Sequence, residues 1–247
     1  MVISPADSSS ESNPMSLDHT PTILLIGASR GLGLAMAAEF LKHGWSVVGT
    51  VRAGSGRTKL HDLADAYDGR VGIETLDICA PDQVAALRAR LAGRAFDILF
   101  VNAGVTNDPT QTIAEVTTDE FIHVMVTNAL SPLRVIEGLQ DLVAPAGLIG
   151  VMSSGQGSVG GNETGMREVY RGSKAALNMF MRSYAARAGG GRALALMAPG
   201  WVRTDMGGPD GRLSIDESVP KLVNVLLAKR GRSGLEYLDY LGRTVPW

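Results

Sequence analysis

The chain has one cysteine, Cys79. That excludes an intrachain disulfide and a thiol-based zinc cluster. Aromatic residues make up only 5% of the 247 residues, and lysine supplies five of the 23 basic side chains against eighteen from arginine. Opposite charges nearly cancel, leaving a formal net charge of −2, which argues against a general nucleic-acid binder. No apolar run approaches the roughly 18 residues that a membrane span needs. The four histidines, His19, His43, His61 and His123, show no metal-ligand spacing, so no metal is proposed. What the chain does hold is an ordinary 45% of hydrophobic residues and thirty glycines, clustered in loops. Its length suits one large α/β domain or two small ones. Residues 1–20 are rich in Ser, Pro, Asp and Asn and lack the apolar segment of a secretory signal. They read as a disordered tail, and residues 21–247 as a single domain. A soluble, cytoplasmic protein is expected.

From Thr22 onward, short apolar runs alternate with helix-like stretches. Thr22–Ile26 reads as a strand buried on both faces. The glycine-rich Gly27–Gly33 follows at once, then a helix from Leu34 to Lys42 that His43-Gly44 closes. Ser46–Val51 is the next strand. This order, strand, glycine loop, helix, strand, opens a parallel sheet. Further strands are expected at Val71–Leu76, Asp97–Val101, Gly147–Met152, Arg192–Met197 and Gly234–Tyr240. Helices are expected at Pro81–Leu91, over a long region from Thr118 to about Val143 interrupted near Pro132, at Glu168–Ala188 and at Asp216–Lys229. The fold class is therefore α/β, a single-domain Rossmann-type doubly wound sheet of about seven parallel strands flanked by helices.

The glycines in Gly27-x-x-x-Gly31-x-Gly33 permit a tight turn and let the backbone approach a pyrophosphate at the positive end of the following helix. The spacing is not the common Gly-x-Gly-x-x-Gly, but the place between strand and helix is right. An NAD site usually has an acid at the end of the second strand, for the ribose 2′-hydroxyl. Here the residues are Gly49-Thr50-Val51-Arg52-Ala53, with no acid. Arg52, and Arg30 from within the glycine loop, suit a 2′-phosphate, because guanidinium presents a planar fork of donors. NADP(H) is thus expected in preference to NAD(H). The alternative is two solvated arginines.

Tyr170 and Lys174 stand four apart in a helix-like stretch, so they share a face. A cation beside a phenol favours the phenolate and lowers its pKa. A phenol tuned in this way can exchange a proton with a carbonyl or alcohol near neutral pH. Alone, Tyr-x-x-x-Lys is a weak signal that chance supplies in many helices.

Together with the glycine loop it makes the sequence resemble the short-chain dehydrogenase/reductase family, over about Thr22 to Trp247. Further motifs fall in the family's order. Leu76-Asp77-Ile78 resembles the acidic turn at the adenine, and Val101-Asn102-Ala103-Gly104 resembles the Asn-Asn-Ala-Gly motif with Val in first place. Asn128 stands at the family's helix-kinking asparagine, and Met152-Ser153-Ser154-Gly155 resembles its serine motif. Ala198-Pro199-Gly200-Trp201-Val202-Arg203-Thr204 resembles its Pro-Gly segment. The stretches Gly155–Ser158 and Tyr170–Met179, with the ending Leu241–Trp247, are nearest to the subgroup of the carbonyl reductase Sniffer and the bacterial C-factor proteins. Two departures stand out. Ile26 replaces the threonine that often precedes the first glycine, which removes one loop hydrogen bond. The interval from Ser154 to Tyr170 is longer than usual, with the extra residues in Gly160–Met166.

The resemblance implies a hydride transfer between a nicotinamide and a carbonyl or secondary alcohol, with Asn128, Ser154, Tyr170 and Lys174 as the catalytic set. Tyr170 is the expected general acid/base. Lys174 binds the nicotinamide ribose and lowers the tyrosine's pKa. Ser154, rather than Ser153, meets the substrate oxygen, and Asn128 supports a water that relays protons. Cofactor contacts are expected from Gly27, Ser29, Arg30, Gly31, Leu32 and Gly33, from Arg52, Asp77 and Ile78, and from Asn102, Ala103 and Gly104. Tyr170, Lys174, Pro199, Gly200, Val202 and Thr204 complete them, although Thr204 reads equally well as a turn hydroxyl. The substrate pocket is expected at Ser154, Gly155, Met166, Trp201 and Met206. A homodimer or homotetramer is the expected assembly. The rival function is an NADP(H)-binding signalling or sensor protein of C-factor type with little or no turnover.

Overall fold

The computed structural model describes residues 20–247. The expected disordered tail therefore lies, apart from Thr20, outside the described residues. Seven strands form one parallel sheet: β1 Thr22–Ile26, β2 Ser46–Val51, β3 Val71–Thr75, β4 Phe96–Val101, β5 Val143–Met152, β6 Ala193–Ala198 and β7 Gly234–Asp239. Their order across the sheet is β3-β2-β1-β4-β5-β6-β7. The helices are α1 Gly31–Lys42, α2 Lys59–Ala66, α3 Pro81–Arg90, α4 Thr118–Met125, α5 Ser131–Leu139, α6 Glu168–Ala188 and α7 Ile215–Lys229. The order reverses between β1 and β4, so the loops that leave their carboxyl ends diverge. Such a switch point opens a crevice.

Alternate residues of each strand feed two cores, as the period of two in a strand dictates. Leu24 and Ile26 of β1 pack on one face with Leu87, Ile136, Leu177 and Met181 from α3, α5 and α6. Ile23 and Leu25 pack on the other with Met36 and Phe40 of α1 and Leu222 and Leu226 of α7. Both faces are covered, so each central strand reads as a continuous apolar run.

Three parts differ from the sequence expectation. Helix α2 was not anticipated: of its eight residues only Leu60 is buried, so it carries no apolar stripe. Strand β5 begins at Val143, four residues before the expected start. Pro145 and Ala146 are exposed there and the register with β4 shifts between Phe96 and Ile98, a bulge that accommodates the proline. The long helical region is interrupted, but by a π-helical turn at Val126–Leu130 rather than at Pro132. Pro132 sits in the first turn of α5, where its missing N–H is harmless. Among the described residues, no helix is long and apolar enough to cross a membrane.

Candidate active site

The carboxyl ends of the strands open into a cleft of about 1050 Å³. At its centre the glycine loop leaves β1. Gly27 has φ 88° and Gly31 φ 56°, conformations that side chains disfavour. Gly33 is a packing glycine: a Cβ there would overlap the Gly27 carbonyl oxygen and lie 2.6 Å from Asn102 Nδ2. The hydrogen bond forgone at Ile26 has a replacement. The Gly27 N–H donates to Thr50 Oγ1 of β2 at 2.8 Å, and Asn102 Nδ2 donates to the Gly27 carbonyl at 2.8 Å. Helix α1 then starts with no side-chain cap and no acid in its first turn. By contrast α7 has a Ser214–Glu217 capping box. The first N–H groups of α1, beside Gly31 and Leu32 of the cleft wall, keep their positive partial charge for an anion.

The far end of the cleft holds the groups expected around an adenosine. Arg52, Asp77 and Ile78 line it, whereas Asn102 and Ala103 lie against Gly27, and Gly104 lies beside Lys174, where a Cβ would come 3.5 Å from Lys174 Nζ. Asp77 is fixed by a 2.9 Å hydrogen bond from the Cys79 N–H, and its own N–H donates to Gln83 Oε1 at 2.8 Å. The two arginines differ. Arg30 reaches across the cleft and pairs with Asp205, whereas the side chain of Arg52 has no such partner among the described residues.

On the opposite side, α6 presents Tyr170 and Lys174, 8% and 4% exposed. Ser154 lines the same cleft and its hydroxyl favours the charged form of the Tyr170 phenol, while its Oγ accepts from the Gln156 N–H at 3.1 Å. Lys174 Nζ donates to the Met152 carbonyl at 2.9 Å and lies 5.9 Å from the centre of the Tyr170 ring. Burial pushes the ammonium down to about 8. Burial raises the Tyr170 pKa, and the Ser154 hydrogen bond and the Arg167 charge pull against it. This direction differs from the sequence expectation. Desolvation outweighs the cations, and the cation that acts on the phenol here is Arg167 rather than Lys174.

Asn128 lies in the π-helical turn, fully buried and outside the cleft wall. Its Nδ2 donates to the Val105 carbonyl at 2.8 Å and to Ser173 Oγ at 3.0 Å, and its Oδ1 accepts from the Val105 N–H at 2.8 Å. The amide thus ties the loop after β4 to α6. Ser153 is spent elsewhere: its hydroxyl donates to Asn178 Oδ1 at 2.6 Å. The phenol of Tyr237 donates to the main-chain carbonyl of Ser154. Asn178 stands in the Tyr170–Met179 stretch but was given no role there, and Tyr237 belongs to no motif.

The remaining wall is formed by Gly155, Trp201 and Met206, with Pro199, Gly200, Val202 and Thr204 beneath. Thr204 has a turn role, because its Oγ1 accepts from the Gly207 N–H at 3.0 Å. Met166, expected in the pocket, does not line the cleft and is 51% exposed. A left-handed backbone, φ 57° at Met166 and 58° at Arg167, turns the loop so that the next side chain, Arg167, joins the wall instead.

The comparisons agree with this architecture. A family model described as Enoyl-(Acyl carrier protein) reductase matches residues 27–221. The chain belongs to the short-chain dehydrogenase/reductase family. A Burkholderia multivorans protein described as a short-chain dehydrogenase/reductase, solved with bound NADP, is 71% identical. Their superposition covers 93% of this chain and 100% of that one at a TM-score of 0.91. The carbonyl reductase Sniffer of D. melanogaster is 26% identical, with 93% and 100% covered and a TM-score of 0.81. The C-signal protein of Myxococcus xanthus is 35% identical over 154 residues, 61% of this chain and 92% of that protein. The family is one of oxidoreductases.

Proposed function

We propose that the protein is an NADP(H)-dependent carbonyl reductase that interconverts a carbonyl compound and its secondary alcohol. The observation that carries this reading is that Ser154, Tyr170 and Lys174 line one cleft together with the glycine loop, which leads to an uncapped helix. A bound NADPH supplies the hydride for the carbonyl carbon. The chain supplies the rest. Ser154 and Tyr170 bind the carbonyl oxygen, where negative charge develops, and the Tyr170 hydroxyl gives it a proton. Lys174 holds the nicotinamide ribose, and Asn128 positions α6 through Ser173 and the Val105 loop. The uncapped end of α1 holds the pyrophosphate. Arg52 holds the 2′-phosphate, with Arg30 joining it on release from Asp205. The bound NADP of the 71% identical Burkholderia protein supports the choice of NADP.

The test is oxidation of NADPH and of NADH, followed by absorbance, across aldehydes, ketones and quinones. Turnover with NADPH, and at least tenfold less kcat/KM with NADH, is the expected result. Turnover with NADH alone would overturn the assignment of Arg52 and Arg30. Silence across the panel, with NADPH shown to raise the Tm, would favour the signalling reading that the C-signal likeness motivates.

We further propose a homodimer. Phe121 and Ile122 on α4 and Met179 and Phe180 on α6 are exposed large apolar side chains, and the two helices pack on each other. Light scattering should give at least twice the mass of one chain, and Phe180→Glu should lower it to one.

A further inference from the structure

The loop that departs most from the family pattern ends at Arg167, which the chemistry above leaves unused. Its backbone is costly. Gly165, Met166 and Arg167 are successive left-handed residues, with φ of 63°, 57° and 58°, and only the first is a glycine. Non-glycine residues held in this region cost on the order of 1 kcal/mol each. The gain is direction, because the turn aims Arg167 at the cleft one helical turn before Tyr170.

The guanidinium arrives there with most of its donors free. Its Nε is buried and has no hydrogen-bond partner. Nη2 makes a single contact of 3.2 Å to Thr106 Oγ1. Among the described residues no carboxylate pairs with it. Other half-buried arginines are used differently: Arg70 donates to the carbonyls of Leu41 and Trp45, and Arg192 to those of Val143 and Ala144. The covered Nε leaves the guanidinium under-used, at a cost of roughly 1–3 kcal/mol for a buried donor without a partner, and Nη1, which is not buried and makes no hydrogen bond among the described residues, is the donor open to a ligand. Its location fixes which ligand. The guanidinium carbon lies 5.0 Å from the centre of the Tyr170 ring, and both residues line the same cleft.

We propose that Arg167 is an anion-binding subsite of the substrate pocket, and that the carbonyl substrate carries a carboxylate one or two carbons from the carbon that is reduced. The inference rests on the reductase reading. A carboxylate matches the guanidinium fork in two parallel hydrogen bonds. The single positive charge matches a monoanion better than a phosphate. Of the other cations in the wall, Lys174 is committed to the Met152 carbonyl, Arg243 is paired with Asp239 and Arg30 with Asp205, and Arg52 stands at the end of β2, away from Tyr170. Binding there also serves the proton transfer. Arg167 draws the Tyr170 pKa down, and a carboxylate that neutralises it removes that pull and keeps the phenol protonated for delivery to the carbonyl oxygen.

The test starts from binding. Calorimetry on the NADP+-saturated protein compares 3-phenylpropanoate with its neutral amide, for the wild type, Arg167→Met and Arg167→Lys. The wild type should bind the acid at least about tenfold tighter, as expected for a charge-assisted pair. The preference should fall to near unity in Arg167→Met and be intermediate in Arg167→Lys, which keeps the charge without the fork. Equal affinities in the wild type, or a preference that survives in Arg167→Met, overturn the proposal. A melting shift with NADPH establishes that each variant is folded. If Arg167→Met fails that control, Arg167→Lys decides, and a wild-type ratio retained in it counts against the fork. Turnover of 2-oxo-4-phenylbutanoate and its ethyl ester then separates the two readings. An acid preference in binding with no reduction of any carbonyl sinks the reductase and leaves the subsite. Reduction of neutral ketones with no acid preference sinks the subsite alone.

Discussion

Tyr170→Phe is expected to lower kcat for carbonyl reduction by about 10³-fold while leaving NADPH affinity near the wild-type value. General acids of this kind contribute 10²- to 10⁴-fold, so the loss corresponds to about 4 kcal/mol of activation free energy. The substitution is nearly isosteric. The ring keeps its burial and its contact with the Arg167 guanidinium, so the Tm should stay within a few degrees. The pH dependence follows from the direction of the tyrosine's shift. Burial raises its pKa above the ordinary phenol value, so below that value the acid form dominates. Reduction, which consumes the acid form, should be flat through neutral pH. Alcohol oxidation, which needs the phenolate, should climb as pH rises. A Tyr170→Phe protein that binds NADPH and retains full turnover would sink the mechanism, and steady-state kinetics with a calorimetric check of NADPH binding decides.

The sequence exposed what is local and periodic. The strand Thr22–Ile26, the glycine loop and α1 were legible because a buried parallel strand is a solid apolar run and the loop needs glycines at fixed places. Helix α6 was legible at its full length, Glu168–Ala188, since its apolar spacing holds throughout. Helix α2 was not. Its polar sequence shows no stripe, and its capping box uses His61 at the place where an acid or amide usually stands. The start of β5 was hidden by Pro145, which interrupts the apolar run before Gly147, where the strand was expected to begin, and which the register shift accommodates.

In the cleft, motif residues were legible and their partners were not. Thr50 restores the loop hydrogen bond that Ile26 gives up, yet it lies twenty-three positions from Gly27, and only the β1–β2 pairing joins them. Asn178 takes up Ser153 from a different element. Arg167 takes the place expected of Met166 because two left-handed residues rotate the chain. Nothing in those residue types announces it, since such backbone is normally the province of glycine. Side-chain chemistry can be read from order and spacing, whereas the direction of a side chain in an irregular loop cannot.

Lys174→Met should separate stability from activity. Burial pushes the ammonium from 10.5 down to about 8, so carrying its charge inside the fold costs about 3 kcal/mol at neutral pH. The hydrogen bond to the Met152 carbonyl offsets part of that, and losing it costs about 1–2 kcal/mol. Methionine, similar in length and uncharged, should therefore raise the Tm at pH 7 by a few degrees in the absence of NADP(H). The sign and the window are set by the two pKa values. Because the folded value is depressed, the penalty is fully present below about pH 8. It vanishes as pH rises to the unfolded value near 10.5. The gap between variant and wild type should accordingly shrink as pH is raised from 8 towards 10.5, with Tyr170 common to both and cancelling in the difference. Turnover should fall by about 10²-fold or more, since the ribose loses its anchor and the reacting groups their alignment. Thermal melts at pH 7 and 10 with parallel kinetics make the measurement. A variant that is less stable than the wild type at both pH values would show that the ammonium is a net structural asset rather than a charge retained for catalysis. A stabilised, inactive variant would show that the fold tolerates a buried cation because the reaction requires it.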